Sequence, residues 1–198
     1  VSTHWFPGMV KAFERKCPGV ELNLMCIDDE AKLERALWHG DADCGFLVAP
    51  AKRTLAAIPL HSDPIMVLLP PNHALAHAER VPARTLAEEP FIQSRSRSSR
   101  EAEALLRNSG VKPRVRFAVD SDYSVMNMVS EGLGFSILPG LLLDDAPFPL
   151  TVLPPHLEMR REISVAVRSA DTASAATRAF VQTARTWVRQ RYEDRQER

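Results

Sequence analysis

The sequence contains no long apolar run. Its longest, 65–69 ahead of two prolines, falls far short of the roughly 20 residues that a helix needs to cross a bilayer. We therefore expect no transmembrane helix and no membrane partner. The chain also lacks a basic and apolar leader and opens with Val1 rather than Met. It is therefore either a processed product or a piece cut from a longer protein, and we favour the second.

Cysteine is scarce, and its pattern argues against two kinds of site. The three cysteines, Cys17, Cys26 and Cys44, are odd in number, lie in apolar stretches and show no CxxC spacing. A disulfide framework needs an even set, and a zinc or redox motif needs closely spaced pairs. The pattern instead fits buried thiols in a reducing compartment, so we expect a cytoplasmic protein.

Net charge and glycine-rich loops are missing as well. Basic and acidic residues each number 25, so no overall field attracts DNA or an anionic surface. We expect this chain by itself to bind DNA poorly. Gly132 and Gly134 lack the third glycine of a GxGxxG motif and precede a strand pattern, so they indicate a tight connection rather than a nucleotide site.

What is present is an alternation of helical and strand patterns. Apolar residues recur every four positions over 5–17, which predicts a helix with one buried face. Residues 20–26 alternate with the period of a strand, and Asp28 or Asp29 can cap a second helix. The apolar run 44–49 predicts a strand covered on both faces. This order implies a right-handed parallel crossover.

The chain continues with further strands. Residues 56–60 and 65–69 are two strand candidates, which the turn signal at 61–64 separates. Near the C-terminus, 161–167 predicts another strand, and apolar residues over 180–191 recur at helical spacing.

The middle of the chain repeats the same order of elements. Strand patterns at 90–93, 115–119 and 135–138 alternate with helical patterns that end near Gly110 and Gly132. We therefore predict an α/β fold with two lobes. Both lobes would present the C-terminal ends of their strands to a cleft, where open α/β folds bind ligands.

Five segments, in this order and over nearly the whole chain, resemble the effector domain of LysR-type regulators. They are Trp5-Phe6-Pro7 with Pro18-Gly19-Val20-Glu21; Gly40-Asp41-Ala42-Asp43-Cys44-Gly45-Phe46; Leu68-Leu69-Pro70 with His73-Ala74-Leu75-Ala76; Leu86 with Glu89-Pro90-Phe91-Ile92; and Gly132-Leu133-Gly134-Phe135-Ser136-Ile137-Leu138-Pro139. No single segment is specific, but the five together are.

The resemblance implies a fold and a function. The fold would be two Rossmann-like lobes with a cleft between them, as in type 2 periplasmic binding proteins. Lobe I would be 1–70 plus 147–198, and lobe II would be 71–146. The function would be allosteric control of transcription in bacteria: a small-molecule effector binds between the lobes, and a winged helix-turn-helix domain absent from this chain binds DNA.

The resemblance also implies a homodimer or tetramer. In this family the apolar faces of the first helix and of the second lobe are the usual dimer surfaces. We therefore expect the isolated domain to dimerise.

The stretch 94–100 is the most informative candidate for effector binding. Ser/Arg-rich turns between a strand and a helix offer hydroxyls, backbone N–H groups and guanidinium forks to an anion. Arg95 and Arg97 make an anionic effector the favoured class, although a solvated loop or an apolar pocket are open alternatives. Gln93 and Ser94 begin this loop.

Further candidates come from the other predicted strand ends. Ser2 and Thr3 stand at the start of the first helix, where they act either as ligand contacts or as N-caps. Ser121 and Asp122 follow the strand at 115–119 and are more simply explained as caps. The resemblance adds Ala49, at the end of the strand over 44–49.

Patterns for catalysis or metal binding are weak. Of the six histidines, His73 and His77 stand at i, i+4 but lack an evident third ligand. We expect no enzyme activity, no metal and no cofactor. The alternatives are a solute-binding protein of a transporter, against which the three cysteines argue, and, less favoured, an enzyme on the same fold.

Overall fold

The computed structural model describes the backbone of residues 1, 4–27, 29–48, 51, 54–96 and 99–196. The described residues form six α-helices and seven strands. The helices are α1 Phe6–Lys16, α2 Glu30–His39, α3 Ala83–Glu88, α4 Ser99–Asn108, α5 Asp122–Ser130 and α6 Ala175–Gln196. The strands are β1 Cys44–Val48, β2 Ala56–Leu69, β3 Pro90–Ser94, β4 Arg114–Val119, β5 Ser136–Pro139, β6 Thr151–Leu153 and β7 Arg160–Val167.

The chain divides into two compact units. The first unit comprises Val1–Ser62 and Glu162–Arg198, and the second comprises Asp63–Arg161. Both crossings between the units fall within a strand, once in β2 and once in β7. The lobe limits derived from the sequence remain a prediction.

Among the described residues, no helix combines the length and the apolar character needed to span a bilayer.

In the first unit, α1 packs against α6. Pro7 lies in the first turn of α1, where its missing N–H is tolerated, and the N-cap residue, Trp5, makes no side-chain capping bond. The buried face of α1 carries Met9 and Phe13, and the Phe13 ring meets that of Phe180 edge-on at 5.3 Å. The predicted helix is confirmed. Its apolar face packs against α6 within the unit, and the part of this helix in a dimer surface remains a prediction.

The second helix, α2, begins and ends as its sequence predicts. The Asp29 carboxylate accepts a hydrogen bond from the backbone N–H of Lys32 at 3.0 Å, which caps the helix. Gly40 ends it in the left-handed conformation, with φ of 83°. Leu33 and Leu37 pack in one buried cluster with Leu47 of β1 and Ala166 of β7, which pair antiparallel.

Two predictions for this region are wrong. Residues 20–27 form no strand, so the predicted parallel crossover to β1 is not formed. The two strand candidates at 56–60 and 65–69 are one continuous strand, β2, because the residues between them remain extended.

The second unit contains a parallel pair of strands. β3 and β4 run parallel, with Ile92 opposite Phe117 and Ser94 opposite Val119, and α4 connects them along the chain. This crossover confirms the α/β prediction for the middle of the sequence. β2 pairs antiparallel with β5 and with β6.

The buried residues of the second unit lie in two clusters. One cluster includes Ile65, Leu105 and Phe135, and the other includes Ile92 and Val125. Because β3 and its neighbours are fixed by this core, the residues at its C-terminal end are held on a rigid support.

Candidate functional site

The candidate site is a cluster of Ser94, Ser96 and Asp122 in the second unit. The Ser94 hydroxyl donates to Asp122 Oδ1 at 2.6 Å. The Ser96 hydroxyl lies 2.8 Å from Asp122 Oδ1 and 2.9 Å from Oδ2, and the two hydroxyls are 2.9 Å apart. Two hydroxyls therefore converge on one carboxylate.

The parallel pairing of β3 and β4 brings these residues together. Ser94 ends β3 opposite Val119, the last residue of β4, and the backbone N–H of Arg95 donates to the Val119 carbonyl at 2.8 Å. α5 starts three residues after β4, with Asp122 in its first turn. The carboxyl ends of parallel strands meet at one edge of a sheet, which is the usual place for a ligand in open α/β folds.

The loop after β3 turns back on itself. The backbone N–H of Ser96 donates to the Ser94 hydroxyl oxygen at 3.1 Å, a local side-chain bond typical of such turns. Ser94 is buried, and Asp122 lies near the positive end of the α5 dipole. The carboxylate is therefore held by two hydroxyls and a helix N-terminus. A ligand hydroxyl or ammonium group placed against it would find a hydrogen-bond acceptor.

Arg95 does not join this cluster. Its guanidinium forms an ion pair with Asp120 at 3.0 Å, and the two side chains are 56% and 78% exposed. An exposed pair of this kind contributes about 0–1 kcal/mol to stability. Arg95 is thus engaged on the surface by a neighbouring carboxylate.

Gln93 and Ser121 have different placements. Gln93 is half-buried on β3, and successive side chains of a strand point to opposite faces, so it points away from Ser94. Ser121 is the N-cap of α5 and accepts from the backbone N–H of Ser124 at 3.3 Å, which confirms its interpretation as a cap. The candidates Ser2, Thr3, Ala49 and Arg97 lie outside the described residues.

Two groups were missed by sequence reasoning. Ser96 was counted only as part of the loop, although its spacing of two from Ser94 in an extended segment is a usable signal. Asp63 was assigned to a turn, but it is buried, and its carboxylate binds Arg161 Nε at 2.8 Å. Nothing in the local pattern pairs residues so distant in sequence.

His73, the first histidine of the i, i+4 pair, has a structural role. His73 Nε2 lies 2.8 Å from Glu89 Oε1, and His73 Nδ1 accepts from the backbone N–H of Leu75 at 3.1 Å. Within the part of the chain that the structure describes, no group of three or more His, Cys, Asp or Glu residues is placed to hold a metal ion.

Comparisons with known proteins agree with the fold. A family model described as "LysR substrate binding domain" matches residues 1–189. The uncharacterised HTH-type transcriptional regulator YvbU of Bacillus subtilis (strain 168) is 26% identical over 186 residues, which are 93% of this chain and 63% of that protein. The chain thus spans less than two thirds of that relative's length.

Solved structures share the same architecture. The C-terminal domain of a probable LysR family transcriptional regulator from Rhodococcus sp. RHA1 superposes with a TM-score of 0.79 at 24% identity, over 90% of each chain. The Synechocystis PCC6803 CcmR regulatory domain, solved in complex with 2-PG, gives 0.81 at 23% identity, over 93% of this chain and 91% of that one. This protein is therefore a member of the LysR substrate-binding domain family.

Proposed function

We propose that this chain is the effector-sensing domain of a bacterial, cytoplasmic LysR-type transcriptional regulator. A small metabolite binds to this domain, and the resulting shift between two conformations changes how the protein engages DNA. DNA contact belongs to a winged helix-turn-helix domain in the rest of the protein. The match to the family over 1–189 and the HTH-type regulator among the relatives support this proposal.

The cluster of Ser94, Ser96 and Asp122 is the observation that carries the proposed effector site. It lies where β3 ends and α5 begins, on a rigid support, and it concentrates polar groups. The other proposed contacts are Gln93, Arg95, Arg97, Ser121, Ser2, Thr3 and Ala49. CcmR, which has the same fold, was solved with 2-PG, which agrees with a small-molecule ligand.

The chemistry of the cluster refines the class of effector. An effector with only acidic groups would face the Asp122 carboxylate, and Arg95 is already paired with Asp120. We therefore propose an effector that presents a hydroxyl or ammonium group to Asp122. An acidic group elsewhere on the same molecule would be bound by Arg97.

A thermal-shift screen tests the site and the class together. The library contains hydroxy acids, amino acids, simple carboxylates and phosphate esters. A ligand at about one hundred times its dissociation constant stabilises the folded state by about 2.7 kcal/mol. We expect a hydroxy acid or amino acid to stabilise the wild-type domain but not Asp122→Asn or Ser96→Ala.

The control for Asp122→Asn is Asp120→Asn, which removes a carboxylate two residues away and breaks only the exposed pair with Arg95. Because this variant removes no group of the cluster and releases Arg95, a proposed contact, the response should be retained or strengthened. Equal loss in both variants, or full retention in Asp122→Asn, would show that the site lies elsewhere. Turnover of a library compound would favour an enzyme instead.

A contact between two copies of this chain needs apolar side chains that are exposed in the single copy. Exposed apolar side chains on the first unit include Leu24 and Met25, at 53% and 45% exposure. We propose that these residues take part in the contact between two copies.

Light scattering after size exclusion tests this surface. The wild type should be a dimer, and the double variant Leu24→Ser with Met25→Ser should be a monomer. The control Leu157→Ser, which also changes an exposed apolar side chain, should remain dimeric. A double variant that stays dimeric would contradict the proposed surface.

A further inference from the structure

The first unit contains a cavity that the effector site does not use. Its volume is about 370 Å³, within the roughly 300–1,000 Å³ range of small-molecule sites. It lies between the first half of β2 and one face of α6. The lining residues are Pro59, Leu60, His61, Gln182, Arg185, Thr186, Val188, Arg189 and Tyr192.

The lining is cationic. Arg185 and Arg189 stand four positions apart on α6, so their side chains project from the same face, one helical turn from each other. None of the nine lining residues is acidic. Gln182 and Thr186 add an amide and a hydroxyl. Guanidinium groups match the planar oxygen pairs of carboxylates and phosphates, so this lining suits an anion.

The wall formed by His61 and Tyr192 is held from behind by a buried indole. The two rings stack at 3.7 Å between centres, with an angle of 15° between their planes. Trp5, which is fully buried, meets both rings edge-on and donates its Nε1–H to the Tyr192 hydroxyl at 3.3 Å. An aromatic wall fixed in this way is preorganised, so a ligand loses little binding energy in ordering it.

We propose that this cavity is a second small-molecule site, which binds a small carboxylate or phosphate anion between the α6 arginines and the His61–Tyr192 wall. The site is independent of the cluster around Asp122, since its lining residues all belong to the first unit. His61 is followed closely by the point at which β2 passes into the second unit. An anion held there therefore binds beside one of the two crossing strands.

The indole signal of Trp5 provides a direct readout. In a proton–nitrogen correlation spectrum of the labelled chain, the Trp5→Phe variant assigns this signal among the three tryptophans. Succinate and inorganic phosphate are titrated separately, and sodium chloride at matched ionic strength is the reference. We expect at least one anion to shift the Trp5 signal with saturation in the millimolar range, while the Trp38 signal stays in place.

Neutral variants identify the residues responsible. Losing one charged hydrogen-bond donor should weaken binding about tenfold or more, so Arg185→Gln should raise the dissociation constant by this factor. Arg185→Gln combined with Arg189→Gln should abolish saturation. The matched control is Arg15→Gln on α1, which removes one exposed positive charge from the same unit outside the cavity.

The comparison of the two anions shows whether the cavity binds a carboxylate or a phosphate. Saturation by succinate alone assigns a carboxylate site, and saturation by phosphate alone assigns a phosphate site. The proposal is overturned if neither anion saturates, if sodium chloride reproduces the shift, or if the double arginine variant binds like the wild type. Because Asp122 plays no part, Asp122→Asn should leave this titration unchanged even if the proposed effector site is wrong.

Discussion

Arg161 Nε donates to Asp63 Oδ2 at 2.8 Å, and this ion pair joins the last and the first residue of the second unit. Asp63 is 1% exposed and also accepts from the backbone N–H of Leu141 at 2.8 Å. Removing the carboxylate leaves the buried N–H of Leu141 without its acceptor and leaves Arg161 with the longer ion pair to Glu101, at 3.7 Å. We expect Asp63→Ala to lower the free energy of unfolding by about 3–5 kcal/mol.

Urea denaturation measures this loss. Asp63→Asn should cost less than Asp63→Ala, because its amide oxygen can still accept from Leu141. The comparison variant is Asp120→Ala, which breaks an exposed ion pair worth about 0–1 kcal/mol. Similar losses for Asp63→Ala and Asp120→Ala would mean that the buried pair contributes no more than a surface pair.

Gly134 occupies a position that no other residue fits. Its φ is 152°, and a Cβ there would overlap the carbonyl oxygen of Pro90, which accepts from the N–H of Phe135 at 2.9 Å. We expect Gly134→Ala to lower the free energy of unfolding by about 1–3 kcal/mol from backbone strain, with further loss from the overlap. Gly19→Ala, where a Cβ meets nothing within 4 Å, should be close to neutral in the same urea titration. Equal stability of the two variants would disprove this explanation.

Cys44 should be the slowest of the cysteines to react. Burial, and then the neighbouring Asp43 carboxylate, raise the pKa of the Cys44 thiol from 9.0 to about 11. Since the thiolate is the reactive form, alkylation in mildly alkaline buffer should modify the exposed Cys26 well before Cys44. Mass spectrometry of peptides from a timed reaction gives both rates. Equal rates would show that the thiol is more accessible than its burial indicates.

The same shift predicts how stability changes in alkali. The folded-state pKa lies above the ordinary value, so the contribution of this thiol is fully present below pH 9.0 and is lost as the pH rises through about 11. The loss of stability over this window should be steeper in the wild type than in Cys44→Ala. Parallel curves of unfolding free energy against pH for the two proteins would contradict the raised pKa of Cys44.

Asp29 should make α2 sensitive to acid. The hydrogen bond from the backbone N–H of Lys32 holds the pKa of this carboxyl below its ordinary value of 3.8. The charged Asp29 carboxylate therefore stabilises the fold fully above pH 3.8, and this stabilisation is lost as the pH falls through the lowered pKa. Asp29→Ala should be less stable than the wild type near neutral pH, and the difference should shrink in acid. Asp29→Asn, which keeps a capping oxygen without the charge, should show no such pH dependence.

Local signals predicted most of the helices and several strands correctly. Asp29 and Gly40 bound α2 because capping and left-handed termination depend only on neighbouring residues. The parallel pair of β3 and β4 follows from an apolar strand, a helix and a second strand in close succession. Such features are decided within a few residues, so one sequence is enough to predict them.

Other features depend on partners far along the chain. Residues 20–26 alternate like a strand, but the structure gives them no ladder partner, and the pattern alone cannot supply one. Asp63 and Pro64 signal a turn, but Asp63 stays within β2 because Arg161 and the N–H of Leu141 bind its carboxylate. In the candidate site, the contact between Ser94 and Asp122 joins two residues that the sequence had already suggested. The ion pair between Arg95 and Asp120 could not be predicted from the sequence and is known only from the structure.

The division of the chain also determines the order in which the protein can fold during synthesis. The second unit is one continuous segment, Asp63–Arg161, whereas the first unit is assembled from the two segments that flank it. Met9 and Phe13 pack against α6, which is synthesised only after the whole second unit. Domains generally fold as they emerge from the ribosome. The second unit can therefore complete its core before α6 is available to pack against α1. A stall or truncation before α6 would therefore release a chain with one finished unit and one exposed apolar helix.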